Sequence, residues 1–184
     1  NSTDENLKLE LFKIEQYADM VLSYLRINST SSDLVLMKYS LAEIVRQAIR
    51  KYSLIFIHKK IKLNFNDFDY KVLTDEKWLV FVIEQILSNS LKYTANGGEI
   101  SIYLNNENNL VIQDNGIGIA QEDIPRVFDK GYTGYNGRIY KKSTGVGLYL
   151  CKKIITRLSH TIAIKSDIGN GTKVIIGFRL ADIS

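Results

Sequence analysis

Asp114 stands at the end of an apolar run and is followed by two glycines, in Gln113-Asp114-Asn115-Gly116-Ile117-Gly118-Ile119. A carboxylate there can accept a hydrogen bond from an exocyclic amine such as adenine's, and glycines let backbone approach a flat ligand closely. Asp, Asn and Gly are also turn formers, so an ordinary strand-to-loop junction fits the same residues. Upstream, Gln85, Asn89, Lys92 and Tyr93 recur at i, i+4, i+7 and i+8, one stripe on one helix face. Asn89 has a carbonyl oxygen for a hard cation such as Mg²⁺, which keeps several waters and takes phosphate oxygens as further ligands. Lys92, a turn on, is placed to neutralise phosphate charge; a helix edge that simply faces water has the same spacing. A third group, Lys141-Lys142-Ser143-Thr144-Gly145-Val146-Gly147-Leu148, sets two glycines at a helix start, where backbone N–H groups make an anion site. It is not a Walker loop, since no Gly-Lys-Ser/Thr follows at the required spacing, and a glycine-loosened helix start without a ligand fits it as well.

The elements that carry these groups follow from pattern. Residues 75–94 read as a helix with Thr74 as N-cap and acids in its first turn, and its body from Trp78 to Leu91 is apolar on so many sides that most of it is expected to be buried. Leu148, Cys151, Ile155 and Leu158 keep the 3-4 spacing of a second helix. A short strand is expected at 34–37, a helix at 41–56, strands at 61–65 and 71–73, a hairpin of 99–104 with 110–114, and a closing hairpin of 161–168 with 172–180. Residues 130–144 hold Gly131, Gly134 and Gly137, show no core periodicity and read as a mobile lid. The implied fold class is α+β, a mixed sheet with helices on one face. In residues 1–28, Leu7, Leu11, Ile14, Ala18, Val21 and Leu25 alternate steps of four and three, a seam that wants another helix.

Together and in this order, the groups resemble the ATP-binding catalytic domain of bacterial sensor histidine kinases, whose two-layer α/β sandwich (the Bergerat-type fold) is shared with gyrase, heat-shock chaperone and mismatch-repair ATPases. The resemblance covers residues 34–184. Residues 85–94 look like the asparagine box, Asp114-Asn115-Gly116-Ile117-Gly118 like the first glycine box and Thr144-Gly145-Val146-Gly147-Leu148 like the second. Val127-Phe128-Asp129-Lys130 matches the phenylalanine box and Gly169-Asn170-Gly171-Thr172 the Gly-x-Gly-Thr turn. The resemblance implies Asn89 as Mg²⁺ ligand, Asp114 as acceptor for the adenine amine, Tyr93 and Ile119 beside the base, Lys130 as a cation over the phosphates, and a nucleotide contact at Thr172. Gln85 stands where the family more often has Asn, and Ser143 where the second glycine box usually starts with Gly. The amide survives in Gln85, and Ser143 stiffens the lid.

Composition agrees. The chain has 184 residues, enough for one core and a small extra element, and a formal charge of +4. Its lysines are scattered and form no basic block interleaved with stacking aromatics, so phosphate handling accounts for them and nucleic-acid binding is not indicated. Cys151 is the only cysteine, which excludes an internal disulfide and at helical spacing reads as core packing. His58 and His160 have no metal-ligand spacing and read as solvated loop or cap residues. No apolar run reaches membrane-spanning length and no signal pattern opens the chain.

Two main readings follow. In the first, the module transfers the γ-phosphoryl of Mg-ATP to a histidine of its own receptor, for relay to an aspartate of a response regulator. In the second it is an ATP-hydrolysing switch of the gyrase or chaperone type; a non-transferring ATP-binding scaffold is a third. Hydrolytic relatives carry a glutamate four residues before the metal asparagine, and here that position is Gln85, which cannot act as a general base. Glu84 is offset by about 100° of helix rotation. Neither His58 nor His160 has the His-acid context of a phosphoacceptor. The chain is therefore expected to be the cytoplasmic, soluble part of a longer membrane receptor, with residues 1–28 the end of its dimerisation and phosphoacceptor hairpin and the full receptor a homodimer. Residues 84–90 and 143–150 look most similar to the Gram-positive sensors that respond to peptide antibiotics.

Overall fold

The computed structural model describes residues 2–28, 34–134 and 144–178. The chain divides into two compact units, Asn1–Asp33 and Leu34–Ser184. The first is the helix α1, Ser2–Asn28, with Arg26 in its last turn, where a cation complements the helix dipole. The residues of its expected seam, Leu7, Leu11, Ile14, Val21 and Leu25, are all exposed, as are Tyr17 and Leu22.

In the second unit the element order is β1 (Met37–Ser40), α2 (Leu41–His58), β2 (Lys62–Phe65), β3 (Lys71–Thr74), α3 (Glu76–Tyr93), β4 (Glu99–Leu104), β5 (Leu110–Asp114), a 3₁₀ turn (Ile124–Arg126), α4 (Gly147–Arg157), β6 (Thr161–Ser166) and β7 (Thr172–Gly177). Five strands form one sheet in the order β2-β4-β5-β7-β6, and β1 pairs with β3 apart from it. Only the β2–β4 pairing is parallel, so the large sheet is mixed as expected. Residues on alternate positions, Ile100 and Ile102 of β4, Val174 and Ile176 of β7, turn into the core, the period-2 signature of a sheet with one buried face. Helix α3 packs against α2 on one side and α4 on the other. Leu41, Ile44, Val45 and Ala48 of α2, with Leu150, Cys151, Ile154 and Ile155 of α4, are fully buried.

The structure corrects three local expectations. Strand β1 begins at Met37, where a strand over 34–37 was expected, because Met37 pairs with Thr74 at the end of β3 while the Val35 N–H is held by the Asp75 carboxylate at 2.9 Å. That carboxylate also caps α3, accepting from the Trp78 N–H at 3.3 Å; Thr74 is spent in the strand, and the N-cap is Asp75. His160 is neither solvated nor a cap. It is buried before β6, edge-on to Phe178 at 5.1 Å between ring centroids, with neither ring nitrogen hydrogen-bonded, and burial pulls its pKa down to about 4. His58, in contrast, is exposed at the end of α2. Cys151 is packed as expected, and burial pushes its thiol pKa far above the ordinary range.

Candidate functional site

Helix α3 carries one wall of a cavity, its phase set by the buried Leu79, Val82, Ile83 and Leu87 and held from outside as well. Glu84 turns away from the cavity to meet Lys51 of α2 at 2.8 Å, and Lys59, just past α2, donates from its ammonium to the Leu91 and Thr94 carbonyls at the end of α3. With that phase set, Ile86, Asn89, Ser90 and Tyr93 face inward and line the cavity. Asp114 at the end of β5, Ile117, Gly118 and Ile119 after it, and Thr172 and Val174 of β7 form the floor. Val127, Tyr132, Gly145, Gly147 and Leu148 close the far side. The walls thus mix aliphatic side chains with polar ones, Asp123 and Thr133 among the latter, a make-up that suits a ligand with a flat apolar part and a polar part.

Asp114 is the polar centre. It is 5 % exposed, and its carboxylate accepts from the Ser90 hydroxyl at 2.8 Å, the Gly116 N–H at 3.0 Å and the Thr172 N–H at 3.1 Å. Burial raises its pKa from the ordinary carboxylate value, and those three donors pull the other way, Ser90 most. The result is a fixed acceptor at the base of the cavity with capacity left for a ligand donor, since a carboxylate offers about four lone-pair sites.

The glycines have a more specific reason than ligand access. Gly118 has φ +74°, and a Cβ there would stand 1.9 Å from the Asp167 carbonyl oxygen. Gly145 has φ +67° and would press on the backbone of Gly131, whose N–H it accepts at 2.9 Å. Backbone packs on backbone at both places, so the loops that rim the cavity are stitched to each other, and the same two glycines line it.

The other expected site residues lie as follows. Gly116 does not line the cavity; it sits under the Tyr93 carbonyl and serves Asp114 through its N–H. Gln85 does not line it either, its carboxamide oxygen lying 3.1 Å from where a Gly147 Cβ would be. Lys92 lays its ammonium over the Tyr93 ring at 5.0 Å. Lys130 is exposed, just after the phenylalanine-box pair Val127 and Phe128, and Lys152 lies over the Phe128 ring at 5.7 Å. Thr144 accepts from the Val146 N–H at 3.4 Å, and α4 then starts from Val146 without a side-chain cap. Thr144 and Val146 stand beside the lining residues Gly145 and Gly147. Of the expected lid at 130–144, residues 135–143, Ser143 and Gly137 included, lie outside the described residues.

Among the cavity residues that sequence reasoning missed are Ser90, Ile86, Asp123, Tyr132, Thr133, Ile164 and Val174. Ser90 had a signal available: it follows Asn89 by 100° toward the buried side of α3, where an unsatisfied hydroxyl would be costly and so calls for a partner such as Asp114. Ile164 and Val174 had none, since any core strand shows the same residues.

Residues 74–182 match the family model described as histidine kinase-, DNA gyrase B-, and HSP90-like ATPase. The sensor histidine kinase YxdK of Bacillus subtilis is 37 % identical over 180 residues, covering 95 % of this chain and 55 % of YxdK. The sensor protein BceS of the same organism is 34 % identical over 174 residues, covering 94 % and 52 %. The chain therefore spans about half the length of the curated relatives it matches. Among solved structures, histidine kinase ThkA in complex with the response regulator protein TrrA superposes with a TM-score of 0.71 at 20 % identity, covering 93 % of this chain and 48 % of that one. The mixed sheet, the acid at the end of β5 and the matched region agree: this chain belongs to the histidine kinase, gyrase B and HSP90-like ATPase family.

Proposed function

We propose that residues 34–184 form the ATP-binding catalytic module of a sensor histidine kinase, which transfers the γ-phosphoryl of Mg-ATP to a histidine on a helical hairpin of the same receptor. The observation that carries this reading is Asp114: a buried carboxylate, fixed by three donors, in the wall of a cavity that also holds Ile86, Ile117, Ile119 and Val174. An exocyclic amine is a donor that such a carboxylate can still take, and Tyr93 and Ile119 flank the place where a base would lie.

Asn89, whose side chain is a carboxamide, lines the same cavity. Among the described residues no group of three His, Cys, Asp or Glu side chains gathers, so Asn89 would hold Mg²⁺ together with phosphate and water oxygens. When bound, that ion offsets the charge of the phosphates and orients them. The uncapped start of α4, with Gly145 and Gly147, offers backbone N–H groups to phosphate oxygens, and Lys92 and Lys130 add positive charge nearby. Phosphoryl transfer needs positioning and charge stabilisation more than covalent help from the protein, and this arrangement supplies those two.

A hydrolytic switch needs a base beside Asn89. Gln85 is not one, Glu84 is engaged with Lys51 on the far side of α3, and Asp123, the other carboxylate of the cavity wall, is bonded by the Tyr132 hydroxyl, so the geometry favours transfer to a protein acceptor over attack by water. His160 is buried and His58 lies at the far end of α2, which leaves the acceptor to the hairpin. The exposed seam of α1 supports residues 1–28 as part of that hairpin and a homodimeric receptor, with a response regulator taking the phosphoryl group on. No helix among the described residues is long and apolar enough to cross a membrane. In a membrane receptor this segment belongs on the cytoplasmic side, where ATP is, and a sensor of peptide antibiotics is the subgroup we favour.

The test is to mix the chain with a separately made phosphoacceptor hairpin of its receptor and labelled Mg-ATP. Label on the hairpin's histidine, acid-labile and base-stable, is the expected outcome, with little turnover by the chain alone. Brisk hydrolysis with no label on the hairpin would falsify the kinase reading in favour of the switch.

A further inference from the structure

Asp114, Thr172 and Ser166 form one row across the sheet, because Asp114 pairs with Thr172 between β5 and β7, and Ser166 pairs with Thr172 between β6 and β7. Ser166 is 8 % exposed and is absent from the cavity wall, yet its hydroxyl makes three contacts. It accepts from the Ile119 N–H at 2.8 Å, donates to the Gly171 carbonyl at 2.7 Å, and lies 3.0 Å from the Thr172 hydroxyl. A serine hydroxyl has one proton. With that proton on Gly171, the Thr172 hydroxyl has to be the donor in its contact with Ser166. Thr172 lines the cavity, so a ligand group that reaches its hydroxyl meets lone pairs and no proton to give.

We propose that Ser166 is a positioning residue for base selection: by taking the Thr172 proton it makes the Asp114–Thr172 corner an acceptor-only surface, which favours a 6-amino purine and opposes a 6-oxo purine. The inference rests on the nucleotide reading above. The same hydroxyl holds Ile119, a cavity wall, and the Gly171 turn, at which a Cβ would collide with the Asp114 carbonyl at 1.9 Å. Ser166 thus fixes both the polarity of Thr172 and the place of the backbone around Asp114. A 6-oxo group facing two acceptors leaves buried oxygens unpaired, the costly kind of mismatch.

The experiment compares affinities for ATP and inosine triphosphate, which differ at the 6-position by an amine against a carbonyl. The unaltered chain is expected to prefer ATP by about tenfold or more. Ser166→Ala frees the Thr172 proton and should narrow that preference by about three- to tenfold, more than it changes the thermal midpoint of the unliganded chain. Ser166→Cys, close in size and a poor hydrogen-bonding group, covers the case in which the alanine variant does not fold, and should narrow the preference in the same direction. Thr172→Ser keeps the hydroxyl and should retain it. Equal preference in the unaltered chain and in either Ser166 variant that folds overturns the inference while leaving the nucleotide site intact. Failure of the unaltered chain to bind ATP overturns the nucleotide reading itself.

Discussion

At the Asp114 end of the cavity the polar group is held by three donors from three different segments, α3, the loop after β5 and β7, while at the Asn89 end the wall is a half-buried amide and the bare start of α4. The first is hydrogen-bonded within the chain itself; on the proposed reading the second is completed by what binds there. The difference teaches how the work is divided. A base is a fixed flat shape and is recognised by a prebuilt acceptor, whereas a metal-bound triphosphate brings its own charge and needs space, backbone N–H groups and one anchoring oxygen.

The largest expected effect lies at neither end and sets the pH range in which the two can be compared. His160 is neutral when buried and takes up a proton near its ordinary pKa of 6.5 when unfolded, so its folded pKa is lowered, to about 4. Stability is then full above about pH 6.5 and falls as pH decreases toward 4, by up to about 3 kcal/mol. Chemical denaturation across that range measures it, and His160→Leu should flatten the decline without changing ATP affinity at pH 7.5. A decline of the same size in His160→Leu would place the acid sensitivity elsewhere.

Next in size is Asp114→Asn. It substitutes an amide that can turn a donor toward the base amine, and ATP affinity should fall by roughly 1.5–3 kcal/mol. Because burial raises the Asp114 pKa, its ionised form costs folding free energy above the ordinary carboxylate range, a cost that disappears as pH falls. The amide variant should therefore melt no lower than the unaltered chain at pH 7 while binding worse. Calorimetry on both proteins checks the pair of results, and a loss of stability together with binding would make Asp114 a packing residue.

Asn89→Ala should act at the other end alone, lowering Mg²⁺-dependent transfer to the hairpin by about tenfold, or roughly 1.4 kcal/mol, while ATP binding measured without metal holds. A parallel fall in both would erase the contrast between the two ends. The smallest effect is expected from Lys130→Ala. Its charge is exposed to water and screened, so transfer should slow by about threefold or less, and less still as salt is raised.

Much of the fold was legible because its signals are local. The β4–β5 hairpin falls on the expected residues, 99–104 and 110–114, since alternation and an Asn-rich turn leave little choice. Helix α3 was legible in its body and misread at its cap: Thr74 and Asp75 are both good N-cap types, and the choice was made by β1, a strand far away in sequence that claimed Thr74 as a partner. His160 failed for the same kind of reason, since nothing beside it in sequence indicates that Phe178 will cover it. In the candidate site, Asp114 and Asn89 announced themselves by type and spacing, while Ser90 and Ser166 matter through hydrogen bonds to segments 24 and 47 residues away in sequence. The helical phase of Ser90 shows that it needs a partner without showing which one, and Ser166 in its strand has no local mark of a partner at all.

The Lys51–Glu84 pair can also be seen as a stop on a lever. A side chain on α3 is an arm roughly 5–6 Å long about the helix axis, so ten degrees of rotation moves its tip by about 1 Å. A misplacement of about that size is enough to cost phosphoryl transfer heavily. Glu84 is pinned to α2 midway along the helix and Lys59 grips its last carbonyls, so the axle that bears Asn89 and Tyr93 is clamped against turning at two points. Releasing the middle clamp with Lys51→Met would leave every cavity residue in place by name and leave the phase of α3 to its buried face and to Lys59.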